Sequence, residues 1–301
     1  MTAPIKWLRL FLTIMLLGFS LRLTGQAADS LHRTLSHVDQ KKLRTFVIAS
    51  ATGYTAAMVG LHHVWYSGKG RQPFTFFNDN AEWKQLDKSG HALSAFHVAH
   101  ATAQALRSCN VPARKANLYG SLTGFAVMLP IEVFDGHSRA YGASVGDIGA
   151  NATGAGLFLL QTVAWGELHV HPKFSVHHTP FAQRRPDVLG ENDLSRLFKD
   201  YNGQTYWLSF DMDKFLRFPQ WLNLAVGYGA EGMLYGRDKQ NWAIGLDPKR
   251  QYYLALDVDL TSVKTRSKVV KALLFVGNMI KIPGPAVEFG SGSARFHAFY
   301  F

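Results

Sequence analysis

Cysteine is almost absent: among 301 residues only Cys109 carries a thiol. That excludes an intramolecular disulfide framework and a cysteine-rich zinc site. Acidic residues are also scarce, 21 against 32 lysines and arginines, which gives a formal net charge of +11. There is no internal repeat, no low-complexity linker and no Lys/Arg stripe interleaved with aromatics. Without such a stripe, nucleic acid is not an expected partner. What is there is an apolar content of 47%, enough to bury a core, so wholesale disorder is excluded. The length allows one large domain or two of ordinary size.

Residues 1–27 read as a signal peptide. Lys6 and Arg9 precede an apolar run from Leu10 to Leu21, and small residues follow around Gly25 and Ala27. A short positive region, an apolar stretch and a small-residue cleavage site define such a segment. The run is shorter than the roughly 20 residues of a membrane span. Cleavage is expected after Ala27, and the sole cysteine lies too far downstream to be lipidated at a new N-terminus. The remainder stays basic. Outside the cytoplasm a basic surface suits anionic lipid headgroups or acidic glycans.

The chain then changes period. Four segments read as long helices: Arg44 to Tyr66, His91 to Cys109, Lys115 to Phe134 and Ser144 to Trp165. Their moderate apolarity fits both a membrane bundle and a bundle packed on itself. Gly120 and Gly124, and the series Gly142, Gly146, Ala150 and Gly154, place small residues at helical spacing, where backbones approach closely. Trp65 and Tyr66, after His62 and His63, suit an interfacial position. After His169 the period becomes two. Gln204 to Met212, Asn223 to Met233, Tyr252 to Leu260 and Ala294 to Phe301 each alternate large apolar residues with small or polar ones. Phe296, Ala298 and Tyr300 are expected on one face. Thr265 to Ile280 reads as an amphipathic helix. The prolines at 172, 180 and 186 place the boundary in His171 to Asn192. The expected class is α+β. A polar lead-in (28–45) precedes a bundle of about four helices (46–168) and a β-rich domain with at least one helix (169–301). The β-rich domain is expected to pack on the helices; a lipid-facing barrel is the alternative.

The densest polar constellation lies in the helical half. Asp87 and His91 are four apart and share a helix face, as do Asp147 and Asn151. Glu132 and Asp135 are three apart, with Arg139 beyond and Ser144 one turn before Asp147. An acid on an apolar, Gly/Ala-rich helix needs a partner or a cavity. If the groups converge, they make a pocket that binds a cation, holds an anionic headgroup, or runs acid–base chemistry. The bland reading is a satisfied network that sets helix register.

Other motifs carry less. Gly142 to Gly146 matches G-x-S-x-G, but it opens a helix rather than following a strand, so Ser144 reads as an N-cap. Gly227-x-Gly229-x-x-Gly232 reads as a strand with a small-residue face. His169, His171, His177 and His178 lack metal-site spacing and read as solvated loop residues. Asp211 with Asp213, and Asp257 with Asp259, lack a calcium loop. Cys109 reads as a small core residue. No metal and no cofactor is expected.

The order Asp87-Lys88-Ser89-Gly90-His91, Glu132, Arg139, Ser144, Asp147, Asn151 and Gly154 resembles the VanZ-like membrane proteins. Their D-K-x-x-H element is followed by an acid, an Arg and an S-x-x-D-x-x-x-N-x-x-G helix. Phe76-Phe77-Asn78-Asp79-Asn80-Ala81-Glu82-Trp83 leading into Asp87 is similar to the YfiM-like family of uncharacterised predicted periplasmic lipoproteins. Asp200 to Trp207 and Trp221 to Gly229 resemble its longer members. The resemblance covers about residues 46 to 301 and implies a cell-envelope location, either periplasm or outer membrane. It departs at the missing lipobox cysteine.

These readings converge on an exported, membrane-associated envelope protein that binds an anionic lipid or lipid-linked glycan. Lys88 and Arg139 would meet the anion, with Asp135, Ser144 and Asn151 lining the site. His91, Asp87, Glu132 and Asp147 are the acid–base candidates. An enzyme acting on a lipid phosphate or cell-wall precursor would use the same residues. A structural outer-membrane protein with lipid-facing strands would not.

Overall fold

The computed structural model describes residues 38–290 and 293–301; the signal peptide and positions 28–37 of the lead-in lie outside the described residues. The chain is α+β, with helices first and a six-stranded antiparallel sheet after them. Helix α1 spans Gln40–Leu61, and its N-cap Asp39 accepts a hydrogen bond from the Lys42 amide. It starts inside the expected lead-in and runs into a π-helical turn, His62–Tyr66. Helix α2 spans Leu86–Ser108. The expected third helix is two: α3, Ala113–Ala126, and α4, Leu129–His137. Pro130 causes the break, because it lacks an N–H and fits only the first turn of a helix. Helix α5 spans Val145–Ala164, with Ser144 as its N-cap accepting from the Asp147 amide. Among the described residues no helix is long and apolar enough to cross a membrane.

Two glycine contacts set the bundle. A Cβ on Gly154 of α5 would lie 2.0 Å from the Ala92 carbonyl oxygen of α2. One on Gly124 of α3 would lie 2.4 Å from the Ala95 carbonyl oxygen. The small-residue spacing thus serves close helix crossings. Phe96, Ala99, Ala103 and Phe158 form the core between them.

The strands are β1 Val170–Val176, β2 Gln204–Phe210, β3 Leu222–Glu231, β4 Lys249–Val258, β5 Gly284–Gly290 and β6 Ser293–Tyr300. They pair in chain order. Strand β1 lies within the stretch expected to be a boundary loop, so His171 is a strand residue and His169 is buried; His177 and His178 are exposed. Helix α6 (Lys268–Gly277) lies within the expected amphipathic segment. After it, Phe174 of β1 exchanges backbone hydrogen bonds with Met279 and Lys281, which covers the free edge of β1. The start of α2 meets the sheet around Leu86, Ala230 and Met233, with Tyr206 and Tyr228 packed against them. The sheet therefore packs on the helices at this end.

The inner face of the sheet mixes an aromatic and alanine core with buried polar groups, and its outer face is largely aliphatic. Trp207, Ala225, Tyr253, Ala255, Ala286 and Tyr300 form its inner cluster. Lys173 and Asp257, both fully buried, pair there at 2.7 Å, and Ser209 donates to the same carboxylate. The outer face carries the large apolar residues. Leu208 lies opposite Val226, Val226 opposite Leu254, Leu254 opposite Val287 and Val287 opposite Phe296. Leu208, Val226, Leu254 and Phe296 are exposed, Phe296 to 67%. The adjoining row is aromatic: Tyr206 and Tyr228, which lie under the start of α2, and the exposed Tyr252 and Phe289. Tyr300 does not join Phe296 on the outside. A register shift between β5 and β6 turns it inward, as a bulge does.

Candidate functional site

Helices α2 and α5 bring the polar residues together. Their contact at Gly154 and Ala92 sets Asn151 and Asp147, one and two turns before Gly154, against His91 and Lys88. Lys88 Nζ lies 2.9 Å from Asp79 Oδ1, 3.1 Å from Asp87 Oδ2 and 3.2 Å from Asp147 Oδ1. His91 Nδ1 lies 3.1 Å from Asn151 Oδ1. Glu132, from the first turn of α4, accepts the Ser144 amide on Oε2 at 2.9 Å. The Ser144 hydroxyl donates to Asp79 at 2.6 Å and accepts from the Asp147 amide at 3.1 Å. A Cβ on Gly146 would sit 2.3 Å from Asn80 Oδ1 and 2.6 Å from Lys88 Cε, so a side chain there would displace both. Asp135 takes a 2.8 Å hydrogen bond from the Tyr66 hydroxyl.

Seven of the nine residues singled out in the sequence thus meet in one place: Asp87, Lys88, His91, Glu132, Ser144, Asp147 and Asn151. Asp135 stands beside them on α4. Arg139 does not join; its Nε donates to the Arg71 carbonyl at 2.9 Å. Two members were missing from the sequence-based set, Asp79 and Tyr66. Asp79 sits in the Phe76–Trp83 motif that carries the family resemblance, which is the signal that pointed to it. Tyr66 had no such signal beyond its aromatic neighbour.

Acidic groups dominate the electrostatics. Five carboxylates face one lysine and one imidazole. Burial pushes Asp87, Glu132 and Asp135 each up to about 7. Burial also raises Asp147. At Asp79 burial works upward, but hydrogen bonds from Lys88 and Ser144 hold it below its usual range. Lys88 is partly buried, yet bonding to Asp79 and the charges around it hold its ammonium more firmly protonated than usual. An incoming anion would meet carboxylates, and the one lysine is already paired three ways. One donor atom each from His91, Glu132 and Asp147 lie within 4.8 Å of one another, as do those of Asp79, Asp87 and Asp147.

Two cavities adjoin these elements. One, of about 340 Å³, is lined by Phe76 to Asn80 and Ser144 to Gly146, and it opens beside the cluster at Asp79. The other, of about 390 Å³, lies between bundle and sheet and is lined by His97, His100, Arg107, His171 and Asp211 among others. His171 and Asp211 pair there at 2.9 Å. Burial pushes His97 down to about 4 and His100 down to about 3.

Residues 75–162, which hold the whole cluster except Tyr66, match a sequence family described as "Predicted periplasmic lipoprotein (DUF2279)". The match covers less than half of the chain. It supports an uncharacterised exported protein of the cell envelope and assigns neither a reaction nor a ligand. No curated protein and no solved structure matches the chain.

Proposed function

We propose that this chain is an exported cell-envelope protein that rests on an anionic membrane surface through the outer face of its sheet and its basic amphipathic helix. The carrying observation is the exposed row Leu208, Val226, Leu254 and Phe296 with the exposed Tyr252 and Phe289 beside it. A continuous exposed apolar patch on one face suits contact with a membrane surface. Helix α6 adds charge. Residues 264–283 hold Lys264, Arg266, Lys268, Lys271 and Lys281 and no acid. The first four are exposed, together with Val269, Leu273 and Val276. Apolar and cationic residues side by side on one helix favour a headgroup boundary. Each such cation near an anionic surface contributes about 1 kcal/mol. The anion-binding role thus moves from Lys88 and Arg139 to this helix. The D-K-x-x-H and S-x-x-D-x-x-x-N-x-x-G elements support a VanZ-like helical unit (46–168) followed by a β-rich unit (169–301), in a YfiM-like chain.

Vesicle flotation tests this reading. The purified chain is expected to float with phosphatidylglycerol-containing vesicles and less with neutral ones, and Leu254→Asp with Phe296→Asp should abolish flotation. A folded wild type that stays at the bottom with every composition refutes it.

A second reading, an enzyme acting on a lipid phosphate or cell-wall precursor, is favoured by the cavity of about 340 Å³ that opens at Asp79 and Ser144. It requires His91→Ala to lose activity while keeping its thermal stability. A structural network predicts loss of stability instead.

A further inference from the structure

We propose that His91, Glu132 and Asp147 form a binding site for one divalent transition-metal cation, Zn²⁺ or Mn²⁺. The first argument is an unpartnered oxygen. Glu132 is 3% exposed, and while its Oε2 is held by the Ser144 amide, its Oε1 has no hydrogen-bond partner among the described residues. That oxygen points into the cluster, 3.9 Å from His91 Nδ1. A buried carboxylate oxygen without a donor is costly, and a cation offsets the cost.

The second argument is the division of labour at Asp147. Its Oδ1 faces Lys88 at 3.2 Å, and its Oδ2 faces His91 Nε2 at 4.0 Å. Asp147 therefore belongs to two triads. In one, with Asp79 and Asp87, the Lys88 ammonium supplies the positive charge. In the other, with His91 and Glu132, the same kind of counter-charge is called for, and an imidazole nitrogen is available as a donor. Nδ1 stands 3.1 Å from Asn151 Oδ1, and in the tautomer that donates to this oxygen the Nε2 lone pair faces Asp147 Oδ2. A hydrogen bond of this kind fixes the tautomer of a metal-binding histidine. A metal about 2.1 Å from each donor spans separations up to about 4 Å, so small side-chain rotations close the site.

The donor set selects the ion. One imidazole with two carboxylates suits Zn²⁺ or Mn²⁺, whereas Mg²⁺ and Ca²⁺ prefer oxygen alone. The site stands independently of membrane association. Its competitor is a protonated His91 paired with Glu132 and Asp147, which takes up no metal.

The full chain, stripped with EDTA, is titrated with Zn²⁺ and Mn²⁺ by calorimetry and with Co²⁺ by visible absorption; Mg²⁺ is the control. The expected result is one equivalent of Zn²⁺ or Mn²⁺ bound, at least tenfold weaker in Glu132→Gln and His91→Gln, and no comparable uptake of Mg²⁺. Both variants are checked by circular dichroism. Should either fail to fold, wild type decides: one equivalent of Co²⁺ with d–d absorption supports the site. No stoichiometric uptake by folded wild type, or uptake unchanged in both folded variants, overturns it.

Discussion

Lys88 Nζ and Asp147 Oδ1 stand 3.2 Å apart across the contact between α2 and α5. Asp79 and Asp87 also lie within 3.1 Å of the same ammonium. One ammonium therefore pairs with three carboxylates from three parts of the chain. Removing it leaves them facing one another at low exposure. Lys88→Met is expected to destabilise the protein by about 3–5 kcal/mol, the cost of breaking a buried ion pair on one side. Urea unfolding measures it. A change below 1 kcal/mol would mean that water already solvates the carboxylates.

Helix α5 carries its own internal control for the crossing. At Gly154 a Cβ would fall 2.0 Å from backbone, whereas at Gly149 nothing lies within 4 Å. Gly149→Ala should stabilise by up to about 1 kcal/mol through helix propensity alone. Gly154→Ala must push two helices apart and should cost about 1–3 kcal/mol. The two melting temperatures should move in opposite directions. If Gly154→Ala also stabilises, the close crossing is wrong, and the cluster geometry with it.

Asp135 makes stability depend on pH. Burial raises its folded value from 3.8 to about 7, so between those values the folded protein binds a proton that the unfolded chain does not. The resulting stability is fully present below about pH 4 and is lost as pH rises through about 7. Asp135→Asn removes this contribution while keeping an acceptor for the Tyr66 hydroxyl. Melting temperatures from pH 5 to 8.5 should fall less steeply for the variant, and it should be the more stable protein at pH 8. Parallel profiles would show that Asp135 is not the group responsible.

Much of the site was legible because helical spacing is informative about faces. The pairs Asp87 with His91 and Asp147 with Asn151 each had to share a face, and Ser144 announced itself as an N-cap. What spacing could not say was which faces meet. Arg139 follows Glu132 and Asp135 closely in sequence, yet α4 ends at His137 and turns it away. The break before Pro130 was visible only as one proline in an otherwise helical run. In the sheet, strand period was readable for β2, β3, β4 and β6. It was blurred in β1 by Pro172 and in β5 by Pro285, where two of seven positions are glycine. The bulge that turns Tyr300 inward adds a residue, which no alternation pattern can register. Period two also leaves open which of the two faces is buried, and here the usual assignment is reversed.

That reversal is testable at two adjacent residues of β3. Val226 is 42% exposed on the outer face, while a Cβ on Gly227 would lie 2.7 Å from the Trp207 ring on the inner one. In a sheet with its large apolar face buried, Val226→Ser would empty a core position at a cost of about 2–4 kcal/mol. Here Val226 has little to lose, and the same change should stay within about 0.5 kcal/mol, as surface substitutions do. Gly227→Val should behave in the opposite sense, costing about 1–3 kcal/mol by overpacking against Trp207. Chemical denaturation of both variants in detergent-free buffer ranks them. If Val226→Ser proves the more damaging, the outer face is covered in solution by protein, and the membrane reading of that face fails with it. If Gly227→Val proves the more damaging, an exposed aliphatic row is being kept on a face where it adds nothing to folding. Its contribution must then lie in what the face touches.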